Sequence, residues 1–279
     1  MYILYKMIKV IFILGPYRNL TTMLSSYMNL HENIVVFNHG YNRIKNNGSD
    51  FWNKMTEQSY NKFVNFVIKN YTKGKRGDFG GDITLSHAYD KKNIISKYKV
   101  PFKKNIKYIL LKESGLITND LRSNFSDIDK IHELISFYKD KIYFIRPIRN
   151  ILKSVLSNQH TLKWKKYAEL TNKKDMLNWY LQDLNWFYIC KKKYPNIFCY
   201  FYEKDINKIN SIVCDFLQLK LTDDLCNTFK ITDNRIVTIL PIYKSVITNL
   251  LDEKKININL FNELIKYDCS ISKINNLKL

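Results

Sequence analysis

Ile8–Met28 reads IKVIFILGPYRNLTTMLSSYM. Val10, Ile11, Phe12, Ile13 and Leu14 form a β-branched and aromatic run that is too short to span a bilayer and suits a buried central strand. Gly15-Pro16 punctuates the run, and a cation, Arg18, follows at once. Leu20, Met23, Leu24, Tyr27 and Met28 then recur at helical spacing, so a helix is expected from near Asn19. A strand, a tight basic turn and a helix start carrying Thr21 and Thr22 together suit a phosphate-like anion. The first N–H groups of a helix have no partner inside it, and the helix dipole favours negative charge there. The pattern G-x-x-x-x-G-K-[ST] is absent, so this is not the ordinary nucleotide P-loop.

The same device recurs downstream. Ile34–Phe37 reads as a second buried strand, closed by Asn38-His39-Gly40. Tyr108–Leu111 reads as a strand ending on Lys112, Ile142–Ile145 as one ending on Arg146, and Ile197–Phe201 as another. Helices are expected over Phe51–Tyr71, from Ser126 with Asp129 as an approximate capping box, from Ile148, over Met176–Tyr188, after a capping Asp205, and around Leu260–Ile265. Tyr41–Asp50 and the glycine-dense Lys73–Gly81 read as loops, and Asp82–Leu85 as a short strand. Strands alternating with helices imply an α/β fold, a doubly wound parallel sheet of about five strands with helices on both faces. No linker splits the chain, so residues 1–279 read as a single domain, with a core over about 9–219 and a helical extension over 220–279. Ligands of such sheets sit at the carboxyl ends of the strands. Arg18, His39, Lys112 and Arg146 all fall just past predicted strand ends, which points to one anionic-ligand site.

The chain has 279 residues, with Lys+Arg 45 against Asp+Glu 25 and a formal net charge of +20. That charge implies polyanionic partners: nucleic acid, nucleotide, anionic glycan, or anionic lipid met at a peripheral membrane surface. An AT-rich coding sequence accounts for the same excess, since Lys, Asn, Ile and Tyr are abundant while Gly totals 8 and Pro 5, so charge alone decides nothing. The five cysteines form no CxxC pair; reduced thiols in a cytoplasmic protein are expected rather than a zinc or disulfide framework, and no metal is expected. Lys6 and Lys9 precede an apolar run but no small-residue cleavage site follows, so this segment reads as the first strand and not a signal peptide. No apolar run reaches the ~18–20 residues of a transmembrane segment. The oligomeric state is not legible.

Four features, in order over roughly Lys9–Leu219, resemble the sulfotransferases that use 3′-phosphoadenylyl sulfate (PAPS). Pro16-Tyr17-Arg18-Asn19-Leu20-Thr21-Thr22-Met23-Leu24 is similar to their 5′-phosphosulfate loop, P-[KR]-S-G-T-T-[WL]-L. Arg146-Pro147-Ile148-Arg149-Asn150-Ile151-Leu152-Lys153-Ser154 is similar to their 3′-phosphate motif, R-D-P-R-D-V-x-x-S. The strand ending on Lys112 and the Tyr202-Glu203-Lys204-Asp205 corner leading to Phe216-Leu217-Gln218-Leu219 complete the match. Leu20 stands where the family has glycine, Asn19 replaces serine, Met23 stands where many relatives have tryptophan, and no R-K-G-x-x-G segment follows. The resemblance is closest to bacterial or viral carbohydrate sulfotransferases, and it implies a P-loop-type sheet.

It also implies a chemistry. PAPS would be the co-substrate and adenosine 3′,5′-bisphosphate (PAP) the product, with no metal. Arg18, Asn19, Leu20, Thr21 and Thr22 would hold the 5′-phosphate side, and Arg146 with Ser154 the 3′-phosphate. Lys112 would assist the leaving group. The acceptor hydroxyl, on a small molecule or glycan, needs a general base. The family's usual histidine position is Ser114 here, which leaves His39, Glu113 and His87 as candidates. Asp82 is a further candidate facing the acceptor. A rival reading takes the chain as a basic nucleic-acid-binding protein on a non-catalytic scaffold, from the +20 charge and the interleaved Trp164-Lys165-Lys166-Tyr167. No recognisable DNA- or RNA-reading motif accompanies it, so no specific nucleic-acid partner is expected.

Overall fold

A computed structural model of the chain describes residues 8–72, 100–103, 105–161, 172–219 and 241–267. Five strands, β1 (Lys9–Ile13), β2 (Ile34–Asn38), β3 (Tyr108–Lys112), β4 (Ile142–Ile148) and β5 (Phe198–Tyr202), form one sheet in the order β2-β3-β1-β4-β5. Every neighbouring pair is parallel. This is a doubly wound P-loop-type sheet with helices on both faces.

Alternation along each strand builds the two faces. Val10, Phe12, Val35, Phe37, Ile109, Leu111, Ile142, Phe144 and Phe198 share one core. Helices α3 (Phe51–Lys54), α4 (Glu57–Asn70), α5 (Ser114–Asn124), α6 (Ile128–Tyr138) and α8 (Lys173–Lys193) cover that side. Phe12 stacks on Phe144 at 5.2 Å and Phe144 on Phe198 at 4.5 Å, an aromatic ladder across three strands that adds about 0.5–1.5 kcal/mol per pair beyond area burial. Ile11, Ile13, Ile34, Val36, Leu110, Ile145 and Phe201 face the other way, onto α1 (Thr21–Met28) and residues 206–219. A third cluster joins α7 (Ile151–Thr161) and α8 to α9 (Pro241–Asp252) and α10 (Ile258–Tyr267), through Leu152, Val155, Leu181, Ile247 and Leu260.

Several expectations need correcting. β4 does not stop at Ile145 but runs to Ile148, so Arg146 lies inside the strand, opposite Tyr200. Pro147 is accommodated because the pairing of β4 with β1 ends at Ile145, before the proline that lacks an N–H. Tyr41–Asp50 is not all loop: α2 (Tyr41–Asn46) forms there because buried Ile44 anchors one short turn beside Gly40. The expected helix over Phe51–Tyr71 breaks at Met55 (φ 42) and restarts with Thr56 and Ser59 as reciprocal caps. Asp127, not Ser126, caps α6. Asp205 caps no helix; the chain makes a 3-10 turn at Glu203–Lys208 and a π turn at Asn210–Cys214. The proposed strand at Asp82–Leu85 and the loop Lys73–Gly81 lie outside the described residues.

The strand order places the crevice. After β1 the chain turns towards β2, and after β4 it turns towards β5. The loops after these two adjacent strands therefore diverge, and such a switch point at the carboxyl end is where doubly wound sheets bind ligands.

Candidate functional site

Residues 14–20 leave β1 at this switch point. Gly15 has φ 118, and its N–H donates to Thr118 Oγ1 of α5 at 2.8 Å. A Cβ there would lie 3.1 Å from Asn19 Nδ2 as well as in a strained backbone. Arg18 and Leu20 both have φ 63, so two left-handed residues flank Asn19. Asn19 explains how that strain persists. Its buried side chain donates through Nδ2 to Pro147 O, while Oδ1 accepts from Arg149 N at 3.0 Å and Tyr180 Oη at 2.9 Å. One amide thus ties the turn to β4, to the start of α7 and to α8.

The turn delivers an uncapped helix. Leu20 is the N-cap of α1 and no side chain caps it. Thr21 is buried, Thr22 is half-buried, and Arg18 is exposed beside them. The glycine position of the resembled motif is thus filled by a leucine already in the left-handed conformation that glycine would favour. Asn150 opens α7 in the same place, its Oδ1 accepting from Lys153 N at 3.0 Å. Glu203, from the Tyr-Glu corner, accepts from Asn150 N at 3.2 Å and lies 3.3 Å from Arg149 Nε. Arg149 Nη1 donates in turn to Arg18 O at 3.3 Å. The corner at Glu203 is therefore a brace for both turns.

Arg146 and Ser154 are fully buried. Arg146 Nη1 lies 2.5 Å from Asp183 Oδ2 on α8 and donates to the Asp183 carbonyl at 3.2 Å. The contact is a buried ion pair, and neither Asp183 carboxylate oxygen has a further hydrogen-bond partner. Arg146 Nε and Nη2 and Ser154 Oγ are also buried without a hydrogen-bond partner among the described residues. The guanidinium sits over Tyr180 and Phe187. Burial pushes the neighbouring Arg122 guanidinium below its ordinary value, Arg146 adding to this and Asp183 opposing it. Arg146 is thus not the strand-end cation the sequence implied, and one edge of its guanidinium already serves an internal ion pair.

A second cluster stands at the ends of β2 and β3. Register pairs Asn38 with Lys112 and Lys112 with Ile13, so His39 and Glu113 lie one residue beyond that level, beside the turn. His39 has φ 51, its N–H donating to Lys112 O at 3.0 Å. His39 Nδ1 lies 3.5 Å from Glu113 Oε1, and His39 Nε2 lies 3.4 Å from Lys112 Nζ. Glu113 and Lys112 are buried, whereas the His39 side chain is 27% exposed. The three residues named as catalytic candidates are therefore in contact, with the imidazole as the member facing solvent. Tyr41 of α2 stands near Glu113 and two further carboxylates: burial first, then Asp120, Asp50 and Glu113, push its hydroxyl well above the ordinary value.

Sequence reasoning passed over Thr118, Asn158, Tyr180 and Asp183. Two of them carried a signal: Asn158 lies one helical turn after Ser154, and Asp183 is a lone carboxylate on the Tyr180–Phe187 face of α8. His87, Asp82 and Trp164–Tyr167 lie outside the described residues. Cys190, Cys199 and Cys214 are buried and in no disulfide. Among the described residues no helix is long and apolar enough to cross a membrane.

No protein-family model matches the chain, and no curated protein sequence matches it. Among solved structures it is similar to the sulfotransferase domain from the Synechococcus PCC 7002 olefin synthase. The identity is 15%, with 82% of this chain and 80% of that one covered at a TM-score of 0.41. A likeness of that degree leaves the functional reading to the chain's own residues.

Proposed function

We propose that this chain is a sulfotransferase that moves the sulfuryl group of PAPS to an acceptor hydroxyl on a small molecule or glycan, in a reducing cytoplasm. The observation that carries the reading is the β1–α1 turn. It presents an uncapped helix N-terminus, a left-handed Leu20 and an exposed Arg18 at the sheet's switch point. Such a terminus attracts a phosphate through its N–H groups and dipole together.

In this reading Arg18, the turn's backbone from Asn19 and Leu20, and Thr21 and Thr22 hold the 5′-phosphate side of the donor. The Asn19 side chain contributes by fixing the turn, being committed to Pro147, Arg149 and Tyr180. Ser154 Oγ and the unpartnered Nε and Nη2 of Arg146 suit the 3′-phosphate, since a phosphate oxygen would satisfy buried donors that now have none. The acceptor oxygen attacks sulfur, the bond from sulfur to the phosphate oxygen breaks, and PAP departs. The hydroxyl proton passes to a base. His39 suits that role better than Glu113, because its ring reaches solvent while Glu113 is buried behind it. Lys112 faces the charge that develops on the leaving phosphate. As in phosphoryl transfer, most of the catalysis is positioning and charge stabilisation.

Isothermal titration with PAP tests the reading. The protein should bind it, and Arg18→Ala and Ser154→Ala should each weaken binding about tenfold or more, as expected for a lost charge-assisted hydrogen bond of about 1.5–3 kcal/mol. Arg146→Ala is a poor probe, because it strands the Asp183 carboxylate in the core. No binding, or binding undiminished in both variants, overturns the proposal. Steeply salt-dependent DNA or RNA binding without PAP binding would favour the nucleic-acid reading.

A further inference from the structure

We propose that Tyr17 is a positioning residue that sets the orientation of His39 through Glu113. This rests on the sulfotransferase reading only for its consequence; the linkage itself is a matter of geometry. Glu113 occupies the N-cap of α5, where a carboxylate would ordinarily accept from the helix's first N–H groups, yet it makes no such bond. It turns the other way. Oε1 accepts from Tyr17 Oη at 3.3 Å and faces His39 Nδ1 at 3.5 Å, while Oε2 is buried without a hydrogen-bond partner. One carboxylate oxygen is thus shared between the phosphate turn and the imidazole.

Tyr17 is itself fixed. Its carbonyl accepts from Asn158 Nδ2 of α7 at 2.7 Å. Its ring lies against the start of α5, so closely that a Cβ on Gly115 would meet Cε2 at 2.7 Å. Glycine at 115 is what lets the ring reach Glu113. The groups facing His39 and Glu113 from the packed elements are Lys112 on β3, Tyr41 on α2 and Tyr17 on the turn. The carboxylates of Asp50 and Asp120 lie behind Tyr41. The partner on one imidazole nitrogen decides which nitrogen carries the proton. Glu113 at Nδ1 selects the Nδ1–H form, and that leaves the Nε2 lone pair towards Lys112 and the cleft.

The experiment is imidazole 15N spectroscopy on the full chain, with the His39 signals identified by their loss in His39→Gln. The unaltered protein should show His39 mainly as the Nδ1–H tautomer. Tyr17→Phe keeps the ring against Gly115 and removes only the hydroxyl; it should lower the ratio of Nδ1–H to Nε2–H severalfold. In a Glu113→Gln background, Tyr17→Phe should change that ratio less than twofold further, because the intermediary is already gone. A ratio unmoved by Tyr17→Phe, or changed equally in both backgrounds, overturns the proposal. PAP titration on the same samples separates the two claims: Tyr17→Phe should leave PAP affinity within about twofold. Failure of the unaltered protein to bind PAP would remove the sulfotransferase reading while the tautomer ratio still decides the role of Tyr17.

Discussion

Leu20 is where the turn's backbone and its side chain pull in different directions, and substitution can separate them. At φ 63 and ψ 5 the residue is left-handed, which costs a residue bearing Cβ about 1–2 kcal/mol. Glycine reaches the same conformation without that cost, but loses about 0.5–1 kcal/mol more backbone freedom on folding. The Leu20 side chain packs half-buried beside Met23 on the α1 face of the sheet. Leu20→Ala and Leu20→Gly both remove most of that packing, so the packing loss nearly cancels when the two variants are compared. What remains is the backbone difference. Leu20→Gly should therefore be more stable than Leu20→Ala by about 0.5–1 kcal/mol. Inside a helix the order is the reverse, glycine being about 1 kcal/mol worse than alanine. Met23→Gly and Met23→Ala, within α1, supply that comparison in the same molecule. For a chain of this length about 1 kcal/mol corresponds to about 2–4 °C in Tm, so scanning calorimetry on the four variants reads the sign directly. A Leu20→Gly protein melting below Leu20→Ala would show that the turn is not held left-handed, and the proposed anion site would lose its support.

Asn19→Ala should cost about 2–4 kcal/mol in urea unfolding, because it strands the buried Pro147 carbonyl, Arg149 N–H and Tyr180 hydroxyl together; a loss under about 1 kcal/mol would mean these groups find other partners. Arg146→Met should cost about 3–5 kcal/mol by leaving Asp183 charged and alone, whereas Arg146→Met with Asp183→Leu should lose less than the single change. Equal losses would mean that the pair does not act as a unit. Alkaline titration tests the buried protons: burial raises the Cys190 and Cys199 thiols from 9.0 to about 12. Burial also raises the Tyr138 hydroxyl from 10.0 to about 12. Each group holds its proton more tightly folded than unfolded, so their contribution is complete below about pH 9 and is lost as pH rises towards about 12. A urea midpoint flat from about pH 8 to about pH 11 would contradict this.

The five strands were legible because each is a short β-branched or aromatic run, and parallel burial on both faces needs no finer pattern. The helices were less so, for two reasons visible in particular residues. α5 begins Ser-Gly-Leu-Ile-Thr, a weak helical sequence whose glycine is required by the Tyr17 ring, so tertiary contact outweighs propensity there. α2 is polar except for Ile44, and one buried side chain makes no periodicity. The helix expected after Asp205 buries its stripe of Ile206, Ile209 and Val213 but is irregular: the chain tightens to a 3-10 turn and then runs helically over 209–216 around a π turn, without a continuous α ladder.

The site shows a deeper limit of the sequence reading. Spacing put a guanidinium at Arg146 on a strand and a hydroxyl at Ser154 on the helix after it, as the structure has them, but spacing cannot say whether a buried cation meets a ligand or another part of the chain. Asp183, 37 residues downstream of Arg146, supplies the protein's own counter-charge. Asn19 was legible as part of the turn, yet its amide bonds inward to three elements and holds the two strained residues on either side. Tyr17 carried no signal at all, although it touches both halves of the site, bonding Glu113 through its hydroxyl and Asn158 through its carbonyl. These three placements share a logic. A turn holding two non-glycine residues at positive φ relaxes unless its surroundings over-determine it, and here Asn19, Tyr17, Thr118 and Asn158 do so from α5, α7, α8 and β4. The side chains that keep the turn strained also lead, through Glu113, to His39. An anion seated on the turn would therefore act on groups already tied to the imidazole, and disturbing the tie at Tyr17 should be felt at His39 before it is felt in the fold.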